Sequence, residues 1–235
     1  MTAGVEDPRI QAGMRRQCAL CDERTRSGAR RIGWKVGFGA PAAKEKLKIE
    51  SALVGFLLDR AMLPDGASVS LTGWSKPVAE PEIAIEIGRD VPAGASEQEA
   101  AQCIGAIGPA IELADIDGPM DDVESILAGD IFQRHVIFGP RRTLALPDGL
   151  SGLIGEVIRN GQPVPVPADL EANTGRLLDT VRQVAATLAA FGEVLRAGDV
   201  VIAGSVTPPL MLGVDDRALL WELRPIGRIE VSFNP

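Results

Sequence analysis

The stretch KPVAEPEIAIEIGRD (76–90) decides how the rest of the chain is read. Residues 78–87 form the clearest strand in the sequence. Strand side chains alternate between faces, so Ile83, Ile85 and Ile87 lie on one side and Glu80, Glu82, Ala84 and Glu86 on the other. The isoleucine side is a core face. The other presents carboxylates whose Cβ atoms are about 7 Å apart along the strand. Like charges at that spacing raise one another's pKa unless a cation lies between them. Taken alone, the pattern also fits a strand with one solvated face.

The second piece is Glu112 in AIGPAIELADID (106–117), flanked on both sides by apolar residues that predict a buried strand over 110–116. A lone buried carboxylate is costly and persists when paired, hydrogen-bonded or metal-bound. Three carboxylates from two strands, in a chain with one histidine, suit a hard oxygen-preferring ion, Mg²⁺ or Mn²⁺ rather than zinc. Three protein oxygens leave three octahedral positions for water or a chelating ligand. A 2-oxo acid chelates through its carboxylate and 2-oxo oxygens, and a cation there stabilises the enolate formed when a proton or carbon group leaves C3.

Outward from this centre, the pattern predicts a helix over about 8–27, a strand at 31–39 and a short helix over 40–49. A strand at 53–58 follows, then a turn at Pro64-Asp65-Gly66. Residues 96–107 read as a helix capped by Ser96, with Glu99 at the capping-box position. A polar loop (117–125) precedes a strand at 135–139. In the second half come a strand at 153–158, a Pro-rich link, a long helix near 176–192, a strand at 200–205, and two more within 218–233. With no linker or repeat, the expectation is one α+β domain over 1–235: a helical segment to about residue 30, then a β-rich metal-binding core.

Composition narrows the function. A net charge of −8 speaks against nucleic acid. No stretch approaches the ~20 apolar residues of a membrane span, and the polar leader MTAGVEDPRI is unlike a secretory signal, so the expected location is cytoplasmic. Cys18, Cys21 and Cys103 are too few for a disulfide framework. The pair in QCALCDERTRS lacks partners for zinc and reads as ordinary helix.

Four further features have both a functional and a plain reading. Lys35, between Trp34 and Val36, is either an edge-strand lysine snorkelling to water or a partly buried ammonium beside the metal that binds the substrate carboxylate or transfers a proton. Gly204 and Ser205 in IAGSVTPP (202–209) make either a turn or a nest of N–H groups and a hydroxyl for a carboxylate. His135 has no partner by spacing and reads as structural. Asp115, Asp117, Asp121 and Asp122 read as a solvated acidic loop, with an extra metal ligand as the alternative.

In order along the chain, GWKVGF (33–38), EPEIAIEIGRDVP (80–92), PAIELAD (109–115), HVIFG (135–139), LRAGDVVIAGS (195–205) and PIGRIEVSF (225–233) resemble the fumarylacetoacetate hydrolase superfamily, and within it the 2-keto-4-pentenoate hydratase branch. The resemblance implies a mixed β-sheet roll with flanking helices, assembled as a homo-oligomer. It places the metal carboxylates on Glu80, Glu82 and Glu112 and the family lysine on Lys35. It implies a lyase of aromatic catabolism that hydrates a 2-hydroxy-2,4-dienoate or 2-oxo-4-enoate to a 4-hydroxy-2-oxo acid. The alternatives are a decarboxylase of the 4-oxalocrotonate type, a C–C hydrolase, or a non-catalytic 2-oxo-acid-binding homologue associated with a related decarboxylase. The sequence departs from the hydratase pattern at Leu53-Val54, where an acidic residue is usual, at Ala128–Phe132, and at EANTGRLLDTVRQVA (171–185). It also lacks an N-terminal lid His–Glu pair, which argues against the acylpyruvate hydrolase branch.

Overall fold

The computed structural model describes residues 4–143 and 150–234, so the first three residues of the polar leader lie outside it. Its centre is an eight-stranded sheet. Seven strands run in the order β2 (Leu53–Leu58), β1 (Arg31–Gly37), β10 (Val200–Ser205), β5 (Pro77–Ile87), β6 (Ile104–Asp115), β7 (Gln133–Phe138) and β3 (Met62–Leu63). The two-residue β11 (Leu210–Met211) also pairs with β5. β2 and β3 stand at opposite ends of that order, yet only the helical turn Asp59–Ala61 separates them. Four residue steps reach at most about 14 Å. A flat sheet of seven strands would hold its edges about 29 Å apart. The sheet therefore curls into a roll.

The register sorts each strand into an inner and an outer face. Lys35 lies opposite Ile202, Ile202 opposite Ala84, Glu82 opposite Ala110, and Glu80 opposite Glu112. All of these face inward, together with Leu57, Val136 and Val200, which pack as one buried cluster with Ala84, Ala110 and Ile202. The outer face carries Trp34, Ile83, Ile85, Ile111 and Val201, buried in the main core. The alternation at 78–87 is thus real, but both faces of β5 are covered.

A second, five-stranded sheet has the order β4 (Ala67–Ser70), β13 (Gly227–Asn234), β12 (Ala218–Arg224), β8 (Ile154–Arg159) and β9 (Gln162–Val164). From β12 the fully buried Trp221 donates its indole N–H to the Glu82 carbonyl at 2.8 Å. This ties the second sheet to the strand that carries the acidic pair. The helices are α1 (Pro8–Arg26), α2 (Pro41–Leu47), α3 (Glu97–Cys103), α4 (Val123–Ala128) and α5 (Leu177–Ala190), of which α1, α3, α4 and α5 pack on strands of the larger sheet. α1 starts with Asp7 accepting from the Arg9 N–H and Pro8 in its first turn. No described helix is long and apolar enough to cross a membrane.

Four expectations need correction. The helix read over 96–107 has its capping box at Ser96 and Glu99 but ends at Cys103. Ile104–Ile107 continue as strand because Ile87, Glu86 and Ile85 pair with them; tertiary pairing overrides the local pattern. The polar loop 117–125 runs into α4, where Asp122 caps by accepting from the Ser125 N–H at 3.2 Å. The Pro-rich link contains β9, paired with β8. Lys35 is not on an edge strand, since β1 sits between β2 and β10.

Candidate active site

Antiparallel pairing sets Glu112 directly across from Glu80, with Glu82 one inward position along. Carboxylate oxygens of Glu80, Glu82 and Glu112 lie within 4.8 Å of one another. Among the described residues this is the one group of three or more His, Cys, Asp or Glu side chains arranged to hold a metal. Glu82 and Glu112 are buried, and Glu80 keeps partial exposure to a cavity.

Lys35 stands three strands from Glu112, about 14 Å in a flat sheet. The curl brings them together across the interior, where the Lys35 ammonium donates to Glu112 Oε1. Lys35 is 2% exposed. Three carboxylates and one ammonium leave two negative charges when all are ionised, the deficit a divalent cation fills. Burial, then the charges of Glu112 and Glu80, push Glu82 well above the usual carboxylate range, Lys35 opposing. Burial and Glu112 push Glu80 up to about 7, again against Lys35. For Lys35 itself burial works against the charge, but Glu112, Glu80 and Glu82 outweigh it and raise its pKa.

A backbone device aims Glu82. β5 and β10 pair Ala84 with Ile202 and then Glu82 with Ser205, so β10 spends three residues where β5 spends two, a β-bulge. Within it Gly204 has φ +96, in the range that glycine tolerates, and its N–H donates to Glu82 Oε2 at 2.7 Å. This amide, read from sequence as free for a substrate carboxylate, is committed to Glu82. Ser205 faces the cavity, its hydroxyl 3.4 Å from the Pro81 carbonyl.

The residue that sequence reasoning left without a role is Asp130. Asp130, Ile131 and Phe132 all have positive φ (57, 52 and 63), a conformation that bulky residues rarely adopt. The Phe56 N–H donates to Asp130 Oδ1 at 2.9 Å, and the Ile131 carbonyl accepts from Lys35 Nζ at 3.2 Å. Asp130 therefore pins the turn that supplies Lys35 with its second acceptor. Burial pushes the Asp130 carboxyl up to about 8, opposed by the Phe56 N–H and Lys35. Gly55 makes room: a Cβ there would lie 2.8 Å from Asp130 Oδ1 and 2.9 Å from Lys35 Cγ. Gly55→Ala is expected to destabilise the protein by about 1–3 kcal/mol and to cut turnover at least tenfold. Melting and rate measurements check this, and wild-type values in both would mean that Lys35 and Asp130 yield without cost.

The remaining candidates lie elsewhere. His135 pairs in register with Leu113, on the face away from Glu112, and its ring tilts against Trp74 at 6.0 Å between centroids. Asp115 accepts from the Ser75 and Lys76 N–H groups, Asp117 pairs with Arg134, and Asp122 caps α4. Cys18 and Cys21 are free thiols on α1; burial pushes Cys21 up to about 11.

Above the carboxylates opens a cavity of about 870 Å³, with Lys35, Glu80, Gly204 and Ser205 on its lining. The chain is also similar to several known proteins. A 2-hydroxyhexa-2,4-dienoate hydratase from Comamonas testosteroni is 29% identical over 83% of this chain and 75% of its own length. A 2-keto-4-pentenoate hydratase from Paraburkholderia xenovorans is 28% identical over 88% of this chain and 77% of its own. The solved 4-oxalocrotonate decarboxylase from Pseudomonas putida G7, complexed with calcium and acetate or with magnesium and adipate, superposes with a TM-score of 0.83. It is 23% identical and covers 93% of this chain and 83% of its own. The fumarylacetoacetate (FAA) hydrolase C-terminal model matches residues 34–233, and the chain belongs to that family of enzymes.

Proposed function

We propose that the chain is a divalent-cation-dependent hydro-lyase that adds water to a 2-hydroxy-2,4-dienoate, or its 2-oxo-4-enoate form, to give a 4-hydroxy-2-oxo acid. The reading rests on the convergence of Glu80, Glu82 and Glu112 beside the buried Lys35 at the base of the cavity. These residues suit a hard divalent ion on the donor set alone: every candidate ligand atom is a carboxylate oxygen, and Glu112 Oε2 is buried with no hydrogen-bond partner. Solved relatives carrying calcium or magnesium support the same class of ion. When bound, such an ion supplies Lewis-acid polarisation of the substrate's 2-oxo group.

The chain's own residues do the rest. Glu82 is held in place by the Gly204 N–H and, through its backbone, by Trp221. Lys35, its ammonium fixed between Glu112 Oε1 and the Ile131 carbonyl, binds the substrate carboxylate or moves the proton that reaches carbon as the dienol becomes the ketone. That proton goes to C5, which leaves a C3–C4 alkene conjugated to the 2-oxo group, and water then adds across it with the hydroxyl going to C4 and the proton to C3. Ser205 orients the carboxylate at the cavity floor.

Calorimetric titration of the metal-stripped protein with Mg²⁺ and Mn²⁺, then with oxalate as a mimic of the 2-oxo-enolate, tests the centre. The expected result is one ion per chain and oxalate binding only after the metal. No metal binding would reduce the three glutamates to a polar strand face. A second reading, decarboxylation through the same enolate, draws support from the decarboxylase that shares the fold; product analysis on dienoates separates CO₂ release from hydration.

A further inference from the structure

Building on the proposed centre, we infer that its substrate is not a five-carbon acid but a 2-oxo or enol acid with an extended apolar tail, of six or more carbons, lodged between α2 and α5. The first observation is size. A 2-oxo-4-pentenoate has eight non-hydrogen atoms. Granting each the roughly 30 Å³ of a liquid water molecule gives about 240 Å³, against a cavity of about 870 Å³. Most of that space lies beyond the reach of the smallest substrate.

The second observation is what makes the space. Thr180, Gln183 and Ala186 recur every three residues, with Asp179 four before Gln183, so a single face of α5 lines the cavity. Gln183 on that face donates to the Ala52 carbonyl at 2.7 Å, which fixes the helix at this distance rather than letting it collapse inward. Ala186 faces the cavity from α5, and Ala42 and Ala43 face it from α2. These are methyl groups where longer side chains would fill the volume. Phe38, Ile116, Met120 and Phe132 add broad apolar surface.

The third observation is charge, and it distinguishes an apolar tail from one ending in a second carboxylate. Beyond Lys35 and Glu80, the charged residues on the lining are Lys44, Glu50, Arg176 and Asp179, two of each sign. Arg176 is paired with Glu97 and Asp179 with Arg182. No unpaired guanidinium awaits a carboxylate in the two-pronged manner that recognises one. Lys44 offers an acidic tail end a single ammonium, with Glu50 and Asp179 of opposite sign on the same lining, whereas an alkyl or aryl tail gains from leaving water.

The test is calorimetric titration of the Mg²⁺-loaded full chain with oxalate, pyruvate, 2-oxohexanoate, 2-oxooctanoate and 2-oxoadipate. The expected order has 2-oxooctanoate binding at least tenfold tighter than pyruvate, and 2-oxoadipate no tighter than 2-oxohexanoate. Ala43→Phe and Ala186→Phe, each filling cavity rather than core, should erase most of the tail's gain while leaving oxalate affinity within about twofold. Oxalate binding with equal affinities for pyruvate and 2-oxooctanoate would overturn the apolar tail and leave the metal centre standing. A preference for 2-oxoadipate would overturn it in favour of a dicarboxylate. Failure of oxalate itself to bind would remove the centre, and the tail with it.

Discussion

Glu82→Gln is expected to raise the melting temperature of the metal-free protein at pH 8 and to abolish the further rise that Mg²⁺ or Mn²⁺ produces. Glutamine keeps the oxygen that accepts from the Gly204 N–H and removes one of three crowded carboxylates. The direction follows from linkage. Glu80 and Glu82 have folded-state pKa values above their unfolded ones. Such groups contribute stability that is full below about pH 4.5 and is lost as pH rises through the folded value. For Glu80, raised to about 7, that loss is on the order of 3 kcal/mol. The metal-free wild type should therefore be less stable at pH 8 than at pH 5, and the metal-induced gain should be larger at pH 8 than at pH 6. Thermal melts of both proteins, with and without metal, read all three effects. A variant that keeps the full metal-induced shift and normal turnover would remove Glu82 from the centre.

Lys35→Met should separate metal binding from turnover. The ammonium competes with a cation for Glu112, so its loss is expected to leave Mg²⁺ affinity equal to or tighter than wild type. Turnover should fall by about 10²–10³-fold, the range for a group that transfers a proton or holds developing charge. Without metal the variant leaves Glu112 buried with no countercharge, at a cost of about 3–5 kcal/mol at pH 8, which saturating Mg²⁺ should largely recover. Arginine is not expected to rescue turnover, because the Lys35 stem runs close against Gly55, which the Asp130 carboxylate also crowds, and a planar guanidinium cannot reach both acceptors in that space. Calorimetry and single-turnover rates check these outcomes together. Unchanged turnover would assign Lys35 to structure alone.

Much of this was legible in the sequence because it depends on period and burial. The alternation over Glu80–Ile87 places Glu80 and Glu82, with Glu86 beyond them, on one side of a strand, and the apolar flanks of Glu112 put another carboxylate inside. The departures have physical causes. Ile104–Ile107 is an apolar run that suits the end of a helix or the start of a strand equally, and only the ladder with β5 decides it. That Lys35 touches Glu112 depends on the curl of the sheet, which follows from a three-residue connection between strands at opposite ends of its order. The turn at Asp130–Phe132 is harder still. Isoleucine and phenylalanine are poor residues for a left-handed backbone, so local propensity argues against the conformation they adopt, and its support comes from Phe56 and Lys35, distant in sequence.

The strand order has a consequence during synthesis. β1 emerges early, but β10, the neighbour that covers its open edge, begins with Val200. At roughly 5–20 residues per second, the nascent chain carries that edge unpaired for on the order of ten to thirty seconds. Lys35 meanwhile has no finished carboxylate pocket to enter. The proposed centre is thus finished only once Gly204 has emerged to hold Glu82, and translation that stalls before Val200 leaves an unpaired, aggregation-prone strand edge beside an incomplete site.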